Sequence, residues 1–275
     1  MRLSKIFSVG WARPSSNPSG FTFIYAGKRQ LAKSGEFTYF DQIGEEGRNH
    51  SLGKPFSDSE CSETFADLAF LFGHLPEPPA RILECGCGTG WLSYFLARRG
   101  YKCVGQDVSD EAIKLAEKNL PFVQEDDVKF ICSDFESLNY ENEFDAVIFY
   151  SSLHHAEDEL AAIESAYRSL RKGGILLAIE PGVGHEEQSR EVIELFDVGD
   201  RDMPPALIIR RGKQAGFTEF ITYPHPSHLM KIFYGRPPRG ALNKTLWKIP
   251  GFKYLALLGL LIYFKRNNGA VLMRK

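Results

Sequence analysis

Short apolar runs alternate with amphipathic stretches through the middle of the chain. Five runs rich in Val, Ile, Leu, Phe and Cys are typical of buried strands. Between most of them, apolar residues recur at helical spacing. Strands that alternate with helices predict βαβ crossovers, and therefore an α/β fold with a parallel sheet covered on both faces. The predicted strands are 80–85, 102–107, 128–133, 144–150 and 174–180, and the predicted helices are 91–99, 109–119 and 157–171.

The chain before this alternating region has a different pattern. Residues 1–57 contain Pro, Ser, Asn and Gly close together, which predicts an irregular N-terminal extension or flap. A helix with one apolar stripe is predicted at 58–74, where Asp58 or Ser59 can cap its first turn. Because strand-like runs continue beyond residue 200, we expect a single domain over 58–275.

Charge is distributed unevenly along the 275 residues, although the total is only −2. Residues 1–202 carry 20 basic and 34 acidic side chains, a net −14, whereas residues 203–275 carry 13 and 1, a net +12. Much of the basic part is an insertion at about 225–266, between two further predicted strands at 217–223 and 270–273. The asymmetry indicates a surface or partner for this insertion.

The basic insertion also contains an apolar run, 254–264, of 11 residues. A spanning helix needs about 20 apolar residues, so this run is too short to cross a membrane. Lysine and arginine beside Trp, Phe, Tyr and Leu suit peripheral contact with an anionic membrane surface or a lipid-linked acceptor. A packed lid or a dimer contact, with the lysines in water, is the alternative.

Five cysteines make an odd number in a chain that is large enough to fold without disulfides. Small buried thiols in a reducing cytoplasm explain them better than a disulfide framework does. Cys85 and Cys87 lack partners at zinc spacing, and His225 and His228 lack an evident third ligand. The sequence therefore predicts no metal site.

A loop with glycine at 86, 88 and 90 connects the first predicted strand to a helix. Alternating glycines at such a turn allow a ligand to approach the backbone next to a helix N-terminus. The dinucleotide motif G-x-G-x-x-G would require glycine where Trp91 stands, which disfavours a nicotinamide-dependent oxidoreductase.

Acidic residues follow the first three strands at the same predicted edge of the sheet. They are Glu84, Asp107 and Asp134. A carboxylate at the end of the second strand can accept both hydroxyls of a ribose, and Ser109 is already a better helix cap than Asp107. Ligands of open α/β sheets bind outside the carboxyl ends of the strands, so we expect a nucleotide-type ligand there.

Together these motifs resemble the class I S-adenosylmethionine-dependent methyltransferases, from about residue 59 to 181. The resemblance implies a Rossmann-like, doubly wound sheet of seven strands, mostly parallel, with an antiparallel last strand inserted next to the fifth. It implies that Glu84 and the glycine loop hold the methionine part of S-adenosylmethionine, that Asp107 takes the ribose, and that Asp134 and Phe135 flank the adenine. The implied cofactor contacts are Glu84, Gly86, Cys87, Gly88, Gly90, Asp107, Val108, Asp134, Phe135 and Tyr150.

Candidate catalytic residues follow the fourth and fifth strands, where the resemblance places the acceptor. His154 and His155 follow the fourth strand, and Glu180 and His185 follow the fifth. Histidine is well matched to accept a proton near neutral pH, and Glu180 can orient a histidine or bond the acceptor. Histidines that only line the pocket are the alternative. His50 is expected on the flap.

The acceptor class follows from what the chain lacks. Tyr150-Ser151-Ser152 stands where exocyclic base methyltransferases carry Asn/Asp-Pro-Pro-aromatic, and no Pro-Cys dipeptide is present, which disfavours nucleic acid. We therefore expect methyl transfer to an oxygen or nitrogen of a small or lipid-linked acceptor. The alternative is a non-catalytic, cofactor-binding or regulatory domain that docks a partner through its basic C-terminal region.

Overall fold

Seven strands form one mixed sheet in the order β3-β2-β1-β4-β5-β7-β6. The structure is a computed structural model that describes residues 34–119, 127–234, 245, 248–249 and 251–275. β1 to β5 run parallel, and β7 lies antiparallel between β5 and β6. This topology confirms the predicted fold class. The strands are β1 Arg81–Cys85, β2 Lys102–Asp107, β3 Val128–Cys132, β4 Phe144–Tyr150, β5 Leu170–Ile179, β6 Glu219–Pro224 and β7 Gly269–Arg274.

Helices cover both faces of the sheet and enclose two apolar cores. Ile163 and Ile208 belong to the core on one face, and Leu71 and Leu92 belong to the core on the other. Continuous apolar strands are what a sheet buried on both faces requires. The described helices are α1 Ser34–Gln42, α2 Gly44–Leu52, α3 Cys61–His74, α4 Trp91–Arg99, α5 Asp110–Lys118, α6 Glu159–Ser169, α7 His185–Gln188, α8 Arg190–Phe196, α9 Pro205–Ala215, α10 Pro226–Phe233 and α11 Phe252–Asn267.

Two segments differ from the pattern-based expectation. β5 begins at Leu170, inside the stretch predicted as helix, because Leu170 pairs with Phe144 across a register shift that lets the strand continue. The described part of the N-terminal extension is not irregular, because it forms α1 and α2. Residues 1–33 and, within the 225–266 insertion, residues 235–244, 246–247 and 250 lie outside the described residues.

The described part of the insertion forms α10 and α11, which contact each other. α11 also contacts β6, β7 and α9, so one side of this helix lies on the sheet domain. Within the described residues, no helix combines the length and the apolar character needed to cross a membrane.

Candidate functional site

Three glycines with left-handed backbones shape the loop between β1 and α4. Gly86, Gly88 and Gly90 have φ angles of 74°, 52° and 73°. A Cβ at Gly86 would stand 2.5 Å from Ser152 Cβ, and one at Gly90 would clash with an aromatic ring of β3. A Cβ at Gly88 would lie 3.6 Å from Phe40 Cζ, which is an ordinary van der Waals contact. Packing therefore requires Gly86 and Gly90, whereas Gly88 is where a ligand can approach the backbone.

Asp107 joins the end of β2 to this loop. Its Oδ2 accepts a hydrogen bond from the Gly88 N–H at 2.8 Å, and its Oδ1 accepts one from the Ser109 N–H at 2.9 Å. Burial raises the pKa of Asp107, although these two hydrogen bonds act in the opposite direction. Ser109 caps α5 by accepting from the Ala112 N–H at 3.2 Å, and the half-buried Val108 lies in the same turn.

Glu84 and Cys87 have buried side chains that support the glycine loop. Glu84 is 3% exposed, and its carboxylate accepts a hydrogen bond from Ser93 Oγ of α4 at 2.5 Å. Burial raises the pKa of Glu84 to about 8. Burial also raises the pKa of the Cys87 thiol, which keeps it protonated. Both side chains therefore hold the loop from inside the fold.

Ser133, Asp134 and Phe135 follow the end of β3. Asp134 Oδ1 accepts from the N–H two residues further on, at 2.9 Å, and so caps a 3-10 turn at Phe135–Ser137. The Phe135 ring meets Phe149 edge to face, with centroids 5.7 Å apart. Ser133 Oγ is buried and has no hydrogen-bond partner in the described part of the chain. This unpaired hydroxyl is a polar atom left for a ligand at the sheet edge.

Tyr150 ends β4, and its hydroxyl has a partner within the fold. It donates to Asp67 Oδ2 of α3 at 3.0 Å, and its ring meets Trp91 edge to face at 5.6 Å. Asp67 Oδ1 also accepts from the Ser227 N–H of α10 at 3.2 Å. Burial raises the pKa of Asp67 to about 7, although these hydrogen bonds lower it. Tyr150 therefore ties β4 to α3 and α10.

Glu180, directly after β5, gathers the turn that follows β4. Its Oε1 accepts from the N–H groups of Ser152 and Leu153 at 3.0 and 2.9 Å, and its Oε2 lies 2.7 Å from His154 Nδ1. Ser152 Oγ donates to the Cys85 carbonyl at 2.7 Å, which connects this turn to the end of β1. Burial acts to raise the pKa of Glu180, but the hydrogen bond and charge of His154, together with the two backbone hydrogen bonds, outweigh it and lower the pKa.

Three imidazoles converge on Oδ1 of Asp200, a residue to which no sequence motif points. The distances to Oδ1 are 3.3 Å from His154 Nε2, 3.3 Å from His155 Nδ1 and 3.7 Å from His185 Nε2. Burial acts to lower the pKa of His154, but Asp200 and Glu180 outweigh it and raise the pKa to about 9. All four candidate catalytic residues thus lie together with Asp200, and we call these five residues the histidine cluster.

Asp200 lies between α8 and α9, outside any regular element, and only the fold brings it to the histidines. Glu36 of α1 was likewise not indicated by any motif. Glu36 Oε1 lies 3.0 Å from His155 Nδ1 and accepts from the Gly199 N–H at 2.9 Å. Since Phe40 of α1 stands over Gly88, α1 contacts both the glycine loop and the histidine cluster.

Like α1, α2 contacts the glycine loop. Thr89 Oγ1 donates to the Ser51 carbonyl at 2.9 Å. His50, expected on the flap, pairs with Asp58 at 3.5 Å and is half-exposed. Its described partner therefore lies in the segment before α3 and not in the histidine cluster.

Comparison with known proteins gives a consistent result. Residues 83–178 match the family model described as a methyltransferase domain. A malonyl-[acyl-carrier protein] O-methyltransferase of Priestia megaterium is 36% identical over 98 residues, 35% of this chain and 35% of the relative. A ubiquinone biosynthesis O-methyltransferase of Xanthomonas campestris is 32% identical over 111 residues, 40% of this chain and 46% of the relative. The chain thus spans less than half the length of these curated relatives.

Residues 83–178 form a methyltransferase domain of the class I S-adenosylmethionine-dependent type. A solved S-adenosylmethionine-dependent methyltransferase from Thermotoga maritima shares the fold, with a TM-score of 0.54 at 19% identity. That similarity covers 88% of this chain and 99% of the other. The methyltransferase fold therefore includes elements well beyond the matched domain.

S-adenosylmethionine is the cofactor of this family, and the described residues fit it. The cofactor carries a sulfonium charge and ribose hydroxyls, and Asp107 supplies an acidic acceptor beside the open backbone at Gly88. The unpaired Ser133 hydroxyl adds a polar atom at the same edge of the sheet. When bound, the cofactor supplies an activated methyl group.

Proposed function

We propose that this protein transfers a methyl group from S-adenosylmethionine to an oxygen or nitrogen of a small or lipid-linked acceptor. One observation carries the proposal: the Ser152 Oγ hydrogen bond to the Cys85 carbonyl. Ser152 belongs to the turn that bears His154 and His155, and Cys85 leads into the glycine loop. The imidazoles are therefore held beside the loop that faces the cofactor, as methyl transfer requires.

On the cofactor side, each group has a defined task. The Gly88 backbone and Asp107 hold the methionine and ribose parts, and Asp134 and Phe135 flank the adenine. Glu84 and Cys87 support the loop from within, which agrees with their burial. These residues place the methyl group, and positioning provides much of the rate acceleration in such an in-line transfer.

On the acceptor side, the three histidines differ in accessibility. The His154 side chain is 5% exposed and lies between Glu180 and Asp200, so it acts as a positioning residue. His155 and His185 have side chains 30% and 24% exposed. These two imidazoles can reach an acceptor and take the proton that an oxygen or nitrogen acceptor loses.

A lipid-linked acceptor is supported by the outer side of α11. Tyr254, Leu255 and Leu258 are 70%, 70% and 59% exposed, and Lys248 and Arg266 near the helix ends are exposed as well. Exposed aromatic and aliphatic side chains flanked by cations suit the interface of an anionic membrane. We propose that this side of α11 binds such a surface and brings the site to its acceptor.

The test is incubation of the protein with methyl-labelled S-adenosylmethionine and cell extract, followed by sorting of the label into lipid, protein, nucleic-acid and small-molecule fractions. Label in the lipid or small-molecule fraction supports the proposal, and the Asp107→Ala variant should lose that label. Cofactor binding in calorimetry without transfer to any fraction would favour the non-catalytic alternative. Absence of cofactor binding by folded protein would overturn both.

A further inference from the structure

The histidine cluster has the geometry of a metal centre. The ligand atoms offered by His154, His155 and Asp200 all lie within 4.8 Å of one another, and two nitrogen-to-oxygen distances are 3.3 Å. With metal–ligand bonds of about 2.0–2.2 Å, neighbouring ligand atoms are roughly 3.0–3.5 Å apart in octahedral or tetrahedral sets. Asp200 therefore has the spacing of a fellow ligand to each of the two histidines.

Glu180 supplies the support that a metal-binding histidine requires. A ligating histidine usually donates its second ring nitrogen to a carboxylate, which fixes the tautomer and the orientation of the ring. Glu180 Oε2 lies 2.7 Å from His154 Nδ1, and its Oε1 is held by the N–H groups of Ser152 and Leu153. His154 Nε2 is consequently the nitrogen that faces Asp200.

Three carboxylates meet around the histidines of this region. Glu36, Glu180 and Asp200 meet here, and within the described part of the chain their ion-pair partners are histidines alone. Imidazole nitrogens and carboxylate oxygens brought together in this way form the mixed ligand set that first-row metal ions take.

We propose that His154 Nε2, His155 Nδ1 and Asp200 Oδ1 bind a divalent first-row transition metal ion, with Glu36 Oε1 at the edge of the same site. Imidazole and carboxylate ligands suit Zn²⁺, Fe²⁺, Co²⁺ and Mn²⁺. The spacing of Cys85, Cys87, His225 and His228 along the chain gave no such expectation. Motifs with a fixed spacing between metal ligands do not reveal this set of ligands, because Asp200 is remote from the histidines in sequence.

Metal binding at this site goes beyond methyl transfer, and it reduces the proton acceptors of the proposed function from His155 and His185 to His185 alone. In the metal-bound protein His154 and His155 are ligands, and His185 is the imidazole of the cluster left to take a proton. Only this assignment of His185 rests on the proposed function. His185 is suited to that role because its ring remains 24% exposed beside Asp200.

The test uses the full chain, freed of metal by a chelator and then titrated with Zn²⁺ or Co²⁺. We expect about one equivalent of bound metal by elemental analysis, a Co²⁺ absorption band, and a Tm that rises with Zn²⁺ because the ion binds only the folded state. Asp200→Asn should weaken Zn²⁺ binding at least tenfold. His74→Gln, which removes a histidine outside the cluster, should bind as the parent protein does.

His155→Gln provides a second variant on the more exposed side of the site, in case Asp200→Asn does not fold. It should also lose at least tenfold in Zn²⁺ affinity. Substoichiometric metal in the parent protein, or unchanged affinity in a folded ligand variant, would overturn the proposal. Calorimetry with S-adenosylmethionine on the same samples measures cofactor binding separately from metal binding. A failure of the metal proposal can therefore be distinguished from a failure of the proposed function.

Discussion

Ser152 occupies the space that a side chain at position 86 would need, because an ideal Cβ on Gly86 lies 2.5 Å from Ser152 Cβ. Gly86 also has a φ of 74°, a conformation that side chains disfavour. The turn after β4 can thus pack against the glycine loop only when residue 86 is glycine. This contact links the cofactor side of the site to the histidine cluster.

Substitution of Gly86 should therefore destabilise the protein more than substitution of Gly88. We expect Gly86→Ala to lower the free energy of unfolding by about 3 kcal/mol, since overpacking adds to the backbone strain. A Cβ at Gly88 would make only an ordinary contact with Phe40, 3.6 Å away, so Gly88→Ala should cost only the backbone strain of about 1 kcal/mol. Urea denaturation of both variants measures the difference, and equal losses would contradict the packing role of Ser152.

Removal of the Asp107 carboxylate should weaken cofactor binding. Asp107→Ala removes the acceptor of the Gly88 N–H and the proposed partner of the ribose hydroxyls, so we expect at least a tenfold increase in the Kd for S-adenosylmethionine. Calorimetric titration provides the measurement. Asp110→Asn, an exposed aspartate on α5, is the matched control and should bind normally. Normal affinity in Asp107→Ala would show that the ribose site lies elsewhere.

Stability of the cofactor-free protein should fall as the pH rises from about 6.5 to about 8. Burial raises the pKa of Glu84 to about 8, whereas its ordinary value is 4.5, so the folded chain keeps a proton that the unfolded chain has released. Because the folded state keeps this proton in this window, Glu84 alone decreases the free energy of unfolding by about 1.4 kcal/mol per pH unit, and its contribution levels off above pH 8. Asp67, with its pKa raised to about 7, acts in the same direction.

Glu84→Gln isolates the contribution of Glu84 to this pH dependence. Glutamine retains an acceptor for Ser93 but carries no titratable proton, so the slope of unfolding free energy against pH should become shallower. Urea denaturation at pH 5.5, 7 and 8.5 measures the slope for each protein. An unchanged slope would assign the titration to groups other than Glu84.

Loss of Glu180 should destabilise the turn after β4. Glu180→Ala leaves the buried N–H groups of Ser152 and Leu153 without their acceptor, and we expect a loss of about 2–4 kcal/mol. Glu180→Gln keeps one acceptor oxygen and should recover part of the loss. The exposed Glu187→Ala is the control. Thermal and urea unfolding that match the control would exclude a positioning role for Glu180.

Negative charge introduced on the outer side of α11 should abolish binding to anionic vesicles. We expect the parent protein to pellet with phosphatidylglycerol-containing vesicles in a salt-sensitive manner and not with neutral vesicles. Leu255→Asp combined with Leu258→Asp should prevent pelleting, whereas Leu195→Asp should not, although Leu195 on α8 is equally exposed. Equal pelleting with neutral vesicles would contradict the electrostatic contribution.

Local patterns were sufficient to predict the sheet and the glycine loop. Strand periodicity and alternating glycines are properties of neighbouring residues, and the resemblance to a known family added the antiparallel β7. The start of β5 was misplaced, because pairing of Leu170 with Phe144 overrides the helical pattern. α1 and α2 were missed because residues 1–57 are dominated by turn-forming residues and show no clear apolar stripe.

Only part of the candidate site could be predicted, because local patterns do not show contacts between segments that are distant in sequence. His154, His155 and Glu180 lie at strand ends, where topology alone brings them together. Asp200 and Glu36 come from a loop and from a helix before the sheet domain, and no spacing rule connects them to the histidines. The role of Tyr150 was also hidden, since its hydroxyl partner Asp67 lies on α3.

The position of α1 has a consequence for turnover. Phe40 stands over Gly88, while Glu36 holds His155, so a ligand that enters or leaves between these points must displace α1. We therefore expect release of the spent cofactor to require separation of this helix from α5 and α8, which it contacts. Substitutions in α1 would change kcat through product release, even though α1 precedes the sheet that carries the chemistry.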